Sequence, residues 1–422
     1  MILPNGWGKG TIEDIAKVTS GGTPSKSKSE YWELGSIPWI RTTEVQNCIL
    51  NSIDTKVYIT KEGLNNSSAK LCPKGTILLA MIGQGKTRGQ VALLQFEAST
   101  NQNSAAIILK QDYNPEYYFN FLLSEYENIR NLSNSAGQSN LSGGLVKTIK
   151  VPIPPLPEQC KIANILSTWD KAITTTEKLF ATSKQQKKAL MQQLLTGKKR
   201  LLSTSATDGA EKAVETGKAF EGEWEDVKLG DVGKCLTGLT YSPNDVTDEG
   251  TLVLRSSNIQ AGKLSFLDNV YVSSLIKDEL RTRVGDILIC IRNGSKNLIG
   301  KSALITNQAI GQTHGAFMTS FRGKYPELVF QLFQTSMFYR QVNKNLGATI
   351  NSINTSDLYK FRFYIPKDEH EIVKIASVLT AADKEIELLN AKLAHFKQEK
   401  KALMQQLLTG KRRVKIDNTE AA

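Results

Sequence analysis

The sequence contains few of the residues that build metal sites, disulfide frameworks or membrane spans. Its five cysteines, at positions 48, 72, 160, 235 and 290, form no CxxC pair, and the three histidines are scattered. The longest apolar run, Ile77 to Ile82, is far too short to cross a bilayer. The amino-terminal residues MILPNGWGKG include no apolar stretch of the secretory type. We therefore expect a cytoplasmic protein that holds no metal and does not enter a membrane.

The composition is that of an ordinary globular protein with an excess of positive charge. Of the 422 residues, 40% are hydrophobic and 22% are charged, and the formal net charge is +12. A length of this order exceeds one typical core, so more than one globular part is expected. The basic balance favours a polyanionic partner such as nucleic acid.

One segment occurs twice without a difference, KALMQQLLTGK at 188–198 and at 401–411. When the chain is shifted by 213 residues, the match extends backwards, and 22 of the 38 positions from 161 to 198 are identical. A repeat of this length, placed once in mid-chain and once near the end, indicates a duplicated unit of about half the chain.

Both copies of the repeat are predicted to be long helices. Apolar residues recur at spacings of three and four, and no proline or internal glycine interrupts them before Gly197 and Gly410, which stand where a C-terminal cap belongs. Two matching apolar seams in one chain can pair with each other. The predicted helix-pairing seam consists of Ile162, Leu166, Trp169, Ile173, Phe180, Leu190 and Leu194 in the first copy, and Ile375, Leu379, Ile386, Leu389, Leu393, Phe396, Leu403 and Leu407 in the second.

The segments before each helix also match, but loosely. IPWIRTTEVQ is echoed by TLVLRSSNIQ, which places Arg255 on Arg41, and Pro326 falls on Pro115. We predict an α+β protein with two mixed α/β domains joined by two long antiparallel helices, internally duplicated with approximate two-fold symmetry. The expected parts are a first domain (1–153), a first helical spacer (154–200), a flexible linker (201–222), a second domain (223–366), a second helical spacer (367–413) and a tail (414–422).

The order of these parts resembles the specificity subunit of type I restriction-modification enzymes. The resemblance rests on the PPLPEQ start of the first helix, the QQLLTGK helix ends, and the segments GGTPSK at 21–26 and IPWI at 37–40, which look like that family's target-recognition domains. It covers essentially the whole chain. The second copy departs at the helix start, where YIPKDEHEI replaces PIPPLPEQC; Glu371 is retained, whereas the double proline and Gln159 are not.

This resemblance implies a function in DNA recognition without catalysis. Each recognition domain would read one half of a split double-stranded DNA sequence, and the helices would space the halves and dock two modification subunits. Those subunits would carry S-adenosylmethionine and methylate adenine, and restriction subunits using ATP and Mg could join them. No cofactor is expected in this chain itself.

Two other classes of function remain open from the residues. AMIGQGKT at 80–87 fits a relaxed P-loop pattern, which would make the chain an NTPase. A P-loop must run into a helix whose N-terminus holds the phosphates, whereas RGQVALLQF after this loop has the pattern of a strand, which favours a hairpin. The third possibility is a helical scaffold that only binds other proteins.

Methyltransferase motifs are incomplete in this sequence. Asn114-Pro115-Glu116-Tyr117 resembles the NPPY motif of adenine methyltransferases but lacks its second proline, and its counterpart at 325–328 keeps only the proline and the glutamate. No GxGxG loop for S-adenosylmethionine is present. We therefore expect no catalytic residue, and His314, His370 and His395 are interpreted as packing or surface residues.

Reading DNA requires hydrogen-bonding side chains on exposed loops. Arg41 and Arg255 are the strongest candidates, because both follow a predicted strand at matching positions. For each residue in the set, a solvated loop position is the alternative. The predicted DNA contacts are Thr23, Ser25, Lys26, Arg41, Thr42, Gln84, Lys86 and Arg88 in the first domain, and Tyr241, Arg255, Ser256, Arg292, Asn293 and Lys296 in the second.

Overall fold

The computed structural model of the chain describes residues 3–83, 85–135, 140–202, 212–215, 223–346 and 351–416. The chain divides into two compact units. Unit 1 consists of residues 1–177 and 391–422, and unit 2 consists of residues 178–390. Each unit therefore contains one globular domain together with a part of each long helix.

Unit 1 is built from short strands and helices that precede the first long helix. Its strands are β1 (Gly8–Thr11), β2 (Ala16–Ser20), β3 (Ile37–Ile40), β4 (Cys48–Leu50), β5 (Tyr58–Ile59), β6 (Leu71–Cys72), β7 (Ile77–Ala80), β8 (Val91–Leu94), β9 (Ala98–Thr100), β10 (Ser104–Leu109) and β11 (Lys150–Ile153). Its helices are α1 (Ile12–Ile15), α2 (Lys61–Asn65), α3 (Pro115–Ser124), α4 (Tyr126–Ser135), α5 (Gly143–Lys147) and the first part of α6 (Leu156–Leu194).

The strands of unit 1 form two sheets and one separate pair. The five-stranded sheet has the order β2-β10-β7-β8-β4, the four-stranded sheet has the order β5-β3-β9-β6, and β1 pairs with β11. All four residues of β7 are buried, as expected for a central strand covered on both faces. Helix α3 begins at Pro115, where no backbone donor is needed, and the Asn114 side chain caps it by accepting from the Tyr117 amide at 2.9 Å.

Unit 2 repeats this plan with strands of similar length. They are β12 (Lys199–Leu202), β13 (Lys212–Glu215), β14 (Trp224–Lys228), β15 (Gly233–Thr237), β16 (Val246–Thr247), β17 (Thr251–Leu254), β18 (Ile259–Gln260), β19 (Lys263–Leu264), β20 (Tyr271–Val272), β21 (Ile287–Cys290), β22 (Ser302–Leu304), β23 (Thr313–His314), β24 (Met318–Gly323) and β25 (Arg362–Pro366). The helices are α7 (Leu229–Val232), α8 (Pro326–Phe333), α9 (Ser336–Asn345) and α10 (Thr355–Leu358), together with the last part of α6 and the first part of α11 (Glu369–Leu407).

The sheets of unit 2 follow those of unit 1. The order β15-β24-β21-β22 corresponds to β2-β10-β7-β8, and the order β16-β20-β17-β23 contains a parallel pair, β17 with β23, that corresponds to β3 with β9. The terminal pair β14-β25 corresponds to β1-β11. The predicted α/β duplication is therefore confirmed.

Both long helices have 39 residues, and their ends are separated by the same shift as the sequence repeat. Leu156 and Glu369, which begin them, are 213 positions apart, as are Leu194 and Leu407, which end them. The starts are equivalent although the second copy lacks the prolines. Asp368 accepts from the His370 amide at 2.9 Å, and this cap replaces the start signal that proline provides in the first copy.

Glycine caps end both long helices. Gly197 and Gly410 have φ values of +68° and +72°, and each donates its amide to a carbonyl three residues earlier. The arginines that follow turn back onto the start of the other long helix. Arg200 pairs with Glu371 at 2.7 Å in unit 2, and Arg413 pairs with Glu158 in unit 1.

The helices run antiparallel within each unit. Residues later in the first helix contact residues earlier in the second. In unit 1, Lys400 contacts Asp170 at 2.6 Å, in addition to the pair of Arg413 with Glu158. In unit 2, the equivalent Lys187 contacts Asp383 at 2.6 Å. Polar residues thus fill the seam positions at which the apolar pattern lapses.

Every residue of the predicted seam is buried or half-buried. The ends of the seam pack into the domain cores: Ile162 and Leu166 join the core of unit 1, and Ile375 and Leu379 join that of unit 2. The Trp169 and Phe396 rings, further along the helices, meet edge to face with centroids 5.5 Å apart. The seam thus serves two purposes, domain packing at its ends and helix pairing between them.

A strand pair joins the end of the expected first helical spacer (154–200) to part of the expected flexible linker (201–222). Lys199–Leu202 and Lys212–Glu215 form an antiparallel ladder, which differs from the prediction for those residues. Residues 203–211 and 216–222 lie outside the described part of the chain. None of the helices among the described residues is both long enough and apolar enough to cross a membrane.

Candidate nucleic-acid interface

The two strongest candidates occupy the same place in the two units. Arg41 follows β3 and Arg255 follows β17, at the end of the strand that has a parallel neighbour. A short 3₁₀ turn comes next in each unit, and the arginine amide caps it by donating at 2.8 Å to the side chain of Glu44 or Asn258. The two arginines therefore hold the same place relative to the strand and the turn, both with extended backbone.

Each arginine is oriented by a carboxylate and still reaches solvent. The Arg41 side chain is 42% exposed, with Nη2 at 3.4 Å from Glu44 Oε1. Arg255 is 34% exposed, with Nη2 at 2.8 Å from Asp268 Oδ1. A guanidinium that is held by one partner keeps other donors for a phosphate or a base edge.

Thr42 is a correction to the predicted set. Its side chain is buried, and its hydroxyl donates to Asn101 Oδ1 at 2.7 Å. The residue therefore joins the turn after β3 to the loop after β9 and offers no surface to a ligand. Its position directly after Arg41 gave no sign of this burial, because the contact comes from a distant part of the chain.

Glycines bring the loop at 21–26 close to the end of β9. A Cβ atom at Gly21 would lie 1.9 Å from the Thr100 carbonyl oxygen, so only glycine permits this approach. Thr23 then donates to Gln102 Oε1 at 2.6 Å, while Ser25 and Lys26 stay exposed. The predicted residues of this loop are thus placed beside a polar segment, Asn101 to Asn103, that the sequence analysis missed.

The glycine-rich segment at 80–87 belongs to a hairpin. β7 and β8 are antiparallel neighbours, so a strand follows the loop where a P-loop requires a helix. The hairpin interpretation is confirmed. Lys86 is exposed and its carbonyl accepts from the Tyr126 hydroxyl at 2.7 Å, while Arg88 is half-buried. Gln84 lies outside the described residues.

In unit 2, the candidates converge on one cleft of about 580 Å³. Tyr241, Arg255 and Ser256 line it, together with Phe317, which the sequence analysis did not select. The loop after β21 contributes Asn293, whose Nδ2 donates to Ser256 Oγ at 3.0 Å.

The same loop after β21 bears two more of the predicted contacts. The Arg292 guanidinium lies 5.8 Å from the centre of the Phe317 ring. Lys296 is exposed in the next turn of that loop. Five of the six residues predicted in this domain are thus linked to one surface, either as its lining or through Ser256 and Phe317.

His314 is a core residue, as interpreted from the sequence. It is fully buried on β23, with Nε2 at 3.0 Å from the Leu236 carbonyl oxygen. Burial lowers the pKa of the imidazole, because the charged form would lose its hydration in the protein interior. Among the described residues, no group of three or more His, Cys, Asp and Glu side chains is arranged to hold a metal ion.

Comparison with known proteins identifies the family. The model of the type I restriction modification DNA specificity domain matches the chain twice, at residues 4–182 and 221–398. A specificity subunit of the type I restriction enzyme MjaVIII from Methanocaldococcus jannaschii is 26% identical over 98% of this chain and 94% of its own length.

Solved structures share the fold. The S subunit of a type I restriction-modification system from M. genitalium aligns with a TM-score of 0.61 at 15% identity, covering 97% of this chain and 98% of that one. A chain from a study of type I complex assembly aligns with a TM-score of 0.53 at 17% identity, covering 98% and 100% of the two chains. Because its family model matches both halves of the sequence, the chain belongs to the type I restriction modification DNA specificity family.

Proposed function

We propose that this chain is the non-catalytic subunit that selects the DNA sequence for a type I restriction-modification complex, with one half of a bipartite target read by each unit. The observation that carries the proposal is the position shared by Arg41 and Arg255, each directly after the strand that has a parallel neighbour. Each arginine precedes a 3₁₀ turn at that strand end, whereas the side chains around them differ. Two independent readers of different half-sequences require this combination of a common frame and divergent surfaces.

The charge of the chain supports binding to DNA. A net charge of +12 favours contact with phosphates, and the exposed Lys26, Lys86 and Lys296 lie in the loops around the candidate sites. Phosphate contacts position a protein, whereas the arginines and amides at the strand ends are the groups able to distinguish bases.

Partner subunits supply the chemistry in this proposal. The modification subunits bind S-adenosylmethionine, and the restriction subunits use ATP and Mg. The long helices offer apolar residues for docking: Leu179 on α6 is 51% exposed and Leu388 on α11 is 70% exposed. Replacing both by aspartate should abolish copurification of the modification subunits, whereas Leu275→Asp, at a 97% exposed loop position, should not.

The decisive experiment maps DNA methylation. Cells that express this chain with its modification subunits should show methylated adenines within one bipartite sequence, and cells without this chain should not. Exchanging residues 1–153 for another recognition domain should change one half of that sequence only. Methyl transfer by the purified chain alone, or a change in both halves together, would contradict the proposal.

A further inference from the structure

We infer that Phe317 reads the C5-methyl group of a thymine in the half-site bound by unit 2. This inference rests on the proposed function and adds the chemistry of one base contact. The starting observation is that Phe317 is a large aromatic side chain with 57% of its surface exposed at the mouth of the unit 2 cleft. Unlike a single apolar residue on an open surface, this ring lies beside the polar side chains of Tyr241, Arg255 and Ser256 in one cleft, the combination typical of a ligand site.

The backbone around Phe317 is held firmly. Its carbonyl accepts from the amides of Ile291 and Arg292, at 3.0 and 3.1 Å. The segment just before it is joined to Leu239, which donates to the His314 carbonyl at 2.7 Å and accepts from the Ala316 amide at 2.9 Å. The ring is therefore presented from a fixed position, as direct reading of a base requires.

The surroundings of the ring favour a methyl group over an intercalated base. The Arg292 guanidinium lies over the ring, 5.8 Å from its centre, and covers one face. A wedge between base pairs needs both faces, whereas contact with a methyl group needs only an edge or the remaining face. In the major groove, thymine alone presents a methyl group, and phenylalanine is among the side chains that contact it.

The other unit makes the assignment specific to unit 2. Asn103 is the counterpart of Phe317, since its carbonyl accepts from the Met81 amide at 2.9 Å, just as Phe317 accepts from Ile291 at the end of the equivalent strand. The neighbouring Asn101 and Gln102 are also polar, whereas Gly315 and Ala316 stand in their places in unit 2. The unit 1 site therefore offers amides, which suit hydrogen bonds to base edges, at the position where unit 2 offers an aromatic ring.

The test uses the complex of this chain with its modification subunits and the DNA site defined by methylation mapping. Each thymine of the site is replaced in turn by deoxyuridine, which lacks only the methyl group. One replacement should weaken binding about fourfold, the factor for one buried group of methyl size. Phe317→Ala should bind the deoxyuridine site and the unmodified site equally well. Its affinity for the unmodified site should be at least about fourfold lower than that of the wild type.

Two controls make the outcome decisive. Leu275→Ala, another exposed apolar residue of unit 2, should keep the deoxyuridine penalty, and thymines of the half-site read by unit 1 should respond identically in wild type and Phe317→Ala. If specific binding is present and no deoxyuridine penalty depends on Phe317, or if the half-site has only G·C pairs, the inference is wrong while the proposed function stands. Absence of any sequence-specific binding by the complex would instead overturn the proposed function.

Discussion

In both units, an arginine after the end of one long helix pairs with a glutamate in the first turn of the other, whereas the residues at the strand ends differ between the units. Arg200 and Arg413 make equivalent pairs, as do Lys187 and Lys400. At the strand ends both units keep the arginine and its turn, whereas Asn101 to Asn103 of unit 1 are replaced by Gly315 to Phe317 in unit 2. Contacts that hold the frame have thus been kept in both copies of the duplication, and contacts available to a ligand have not.

This contrast explains why the two copies of the repeat have high sequence identity in the helices and low identity in the domains. A helix seam must match its partner along its whole length, so substitutions there alter several packed neighbours. Phe317 in the cleft of unit 2 has 57% of its surface exposed, so its side chain has few packed neighbours. Changing it therefore leaves the fold intact and alters what the unit can bind.

The largest effect is expected from breaking the ion pair of unit 2. Glu371 is fully buried and accepts from Arg200 Nε and Nη2 and from the Leu201 amide. Arg200→Met would leave this carboxylate buried without its cation, at a cost of about 3–5 kcal/mol in the free energy of unfolding. Urea denaturation of the purified chain measures it.

The same change in unit 1 provides the comparison. Glu158 is also buried, but Arg413 is 46% exposed, so water screens that pair and can replace the arginine. Arg413→Met should therefore lower the denaturation midpoint less than Arg200→Met. Equal losses from the two variants would show that burial of the arginine does not set the strength of this contact.

The glycine caps should have the next largest effect on the free energy of unfolding. Gly197→Ala forces a left-handed conformation on a residue with a side chain and places Cβ 2.9 Å from the Trp224 ring, and Gly410→Ala places it 2.6 Å from Pro4. Each should cost about 1–2 kcal/mol from the backbone conformation alone. The control is Gly294→Ala, where Cβ meets no atom within 4 Å. A loss in the control as large as that in the caps would refute this explanation.

Variants of Arg41 and Arg255 test whether the two units recognise their half-sequences independently. Arg41→Ala should relax one half of the DNA target and Arg255→Ala the other, each weakening binding of the complex by about 1–3 kcal/mol. Titration with DNA altered in one half at a time separates the effects. Two variants that relax the same half would show that the equivalent positions do not read separate halves.

The helical frame could be predicted because its signals are local. Heptad spacing, the identical repeat and Gly197 and Gly410 together predict where the helices lie, and the observed bounds differ by a few residues from 154–200 and 367–413. The pairing of Lys199–Leu202 with Lys212–Glu215 was missed, since a strand of four residues is too short to show a clear alternation of apolar and polar residues.

The cleft was predicted only in part, for a different reason. Arg41 and Arg255 were found because position after a strand is a local property. Thr42 was misjudged and Phe317 missed because burial and exposure at a loop depend on which distant segment lies against it. A phenylalanine between strands is ordinarily a core residue, so its exposure becomes evident only in the folded chain.

The smallest expected effect is a pH dependence of stability that His314 gives to unit 2 and not to unit 1. His314 is buried in unit 2, whereas Thr100 occupies the equivalent position, the last residue of the parallel strand pair, in unit 1. Burial is the main cause that lowers the pKa of His314; the Leu236 carbonyl and Asp286 act in the opposite direction, and Arg322 adds to the lowering. Above pH 6.5 the imidazole is neutral both folded and unfolded, and it contributes no pH dependence.

Below pH 6.5 the unfolded chain takes up this proton before the folded chain does, so stability should fall as the pH decreases toward the folded pKa. The slope from this one group is at most about 1.4 kcal/mol per pH unit. His314→Thr, which installs the residue of unit 1, should reduce the difference between urea midpoints at pH 7.5 and 5.5. His395→Gln, at an exposed helix position, should leave that difference unchanged. If the two variants have the same pH dependence as wild type, His314 does not destabilise unit 2 in acid, and the contrast between the units is confined to their binding surfaces.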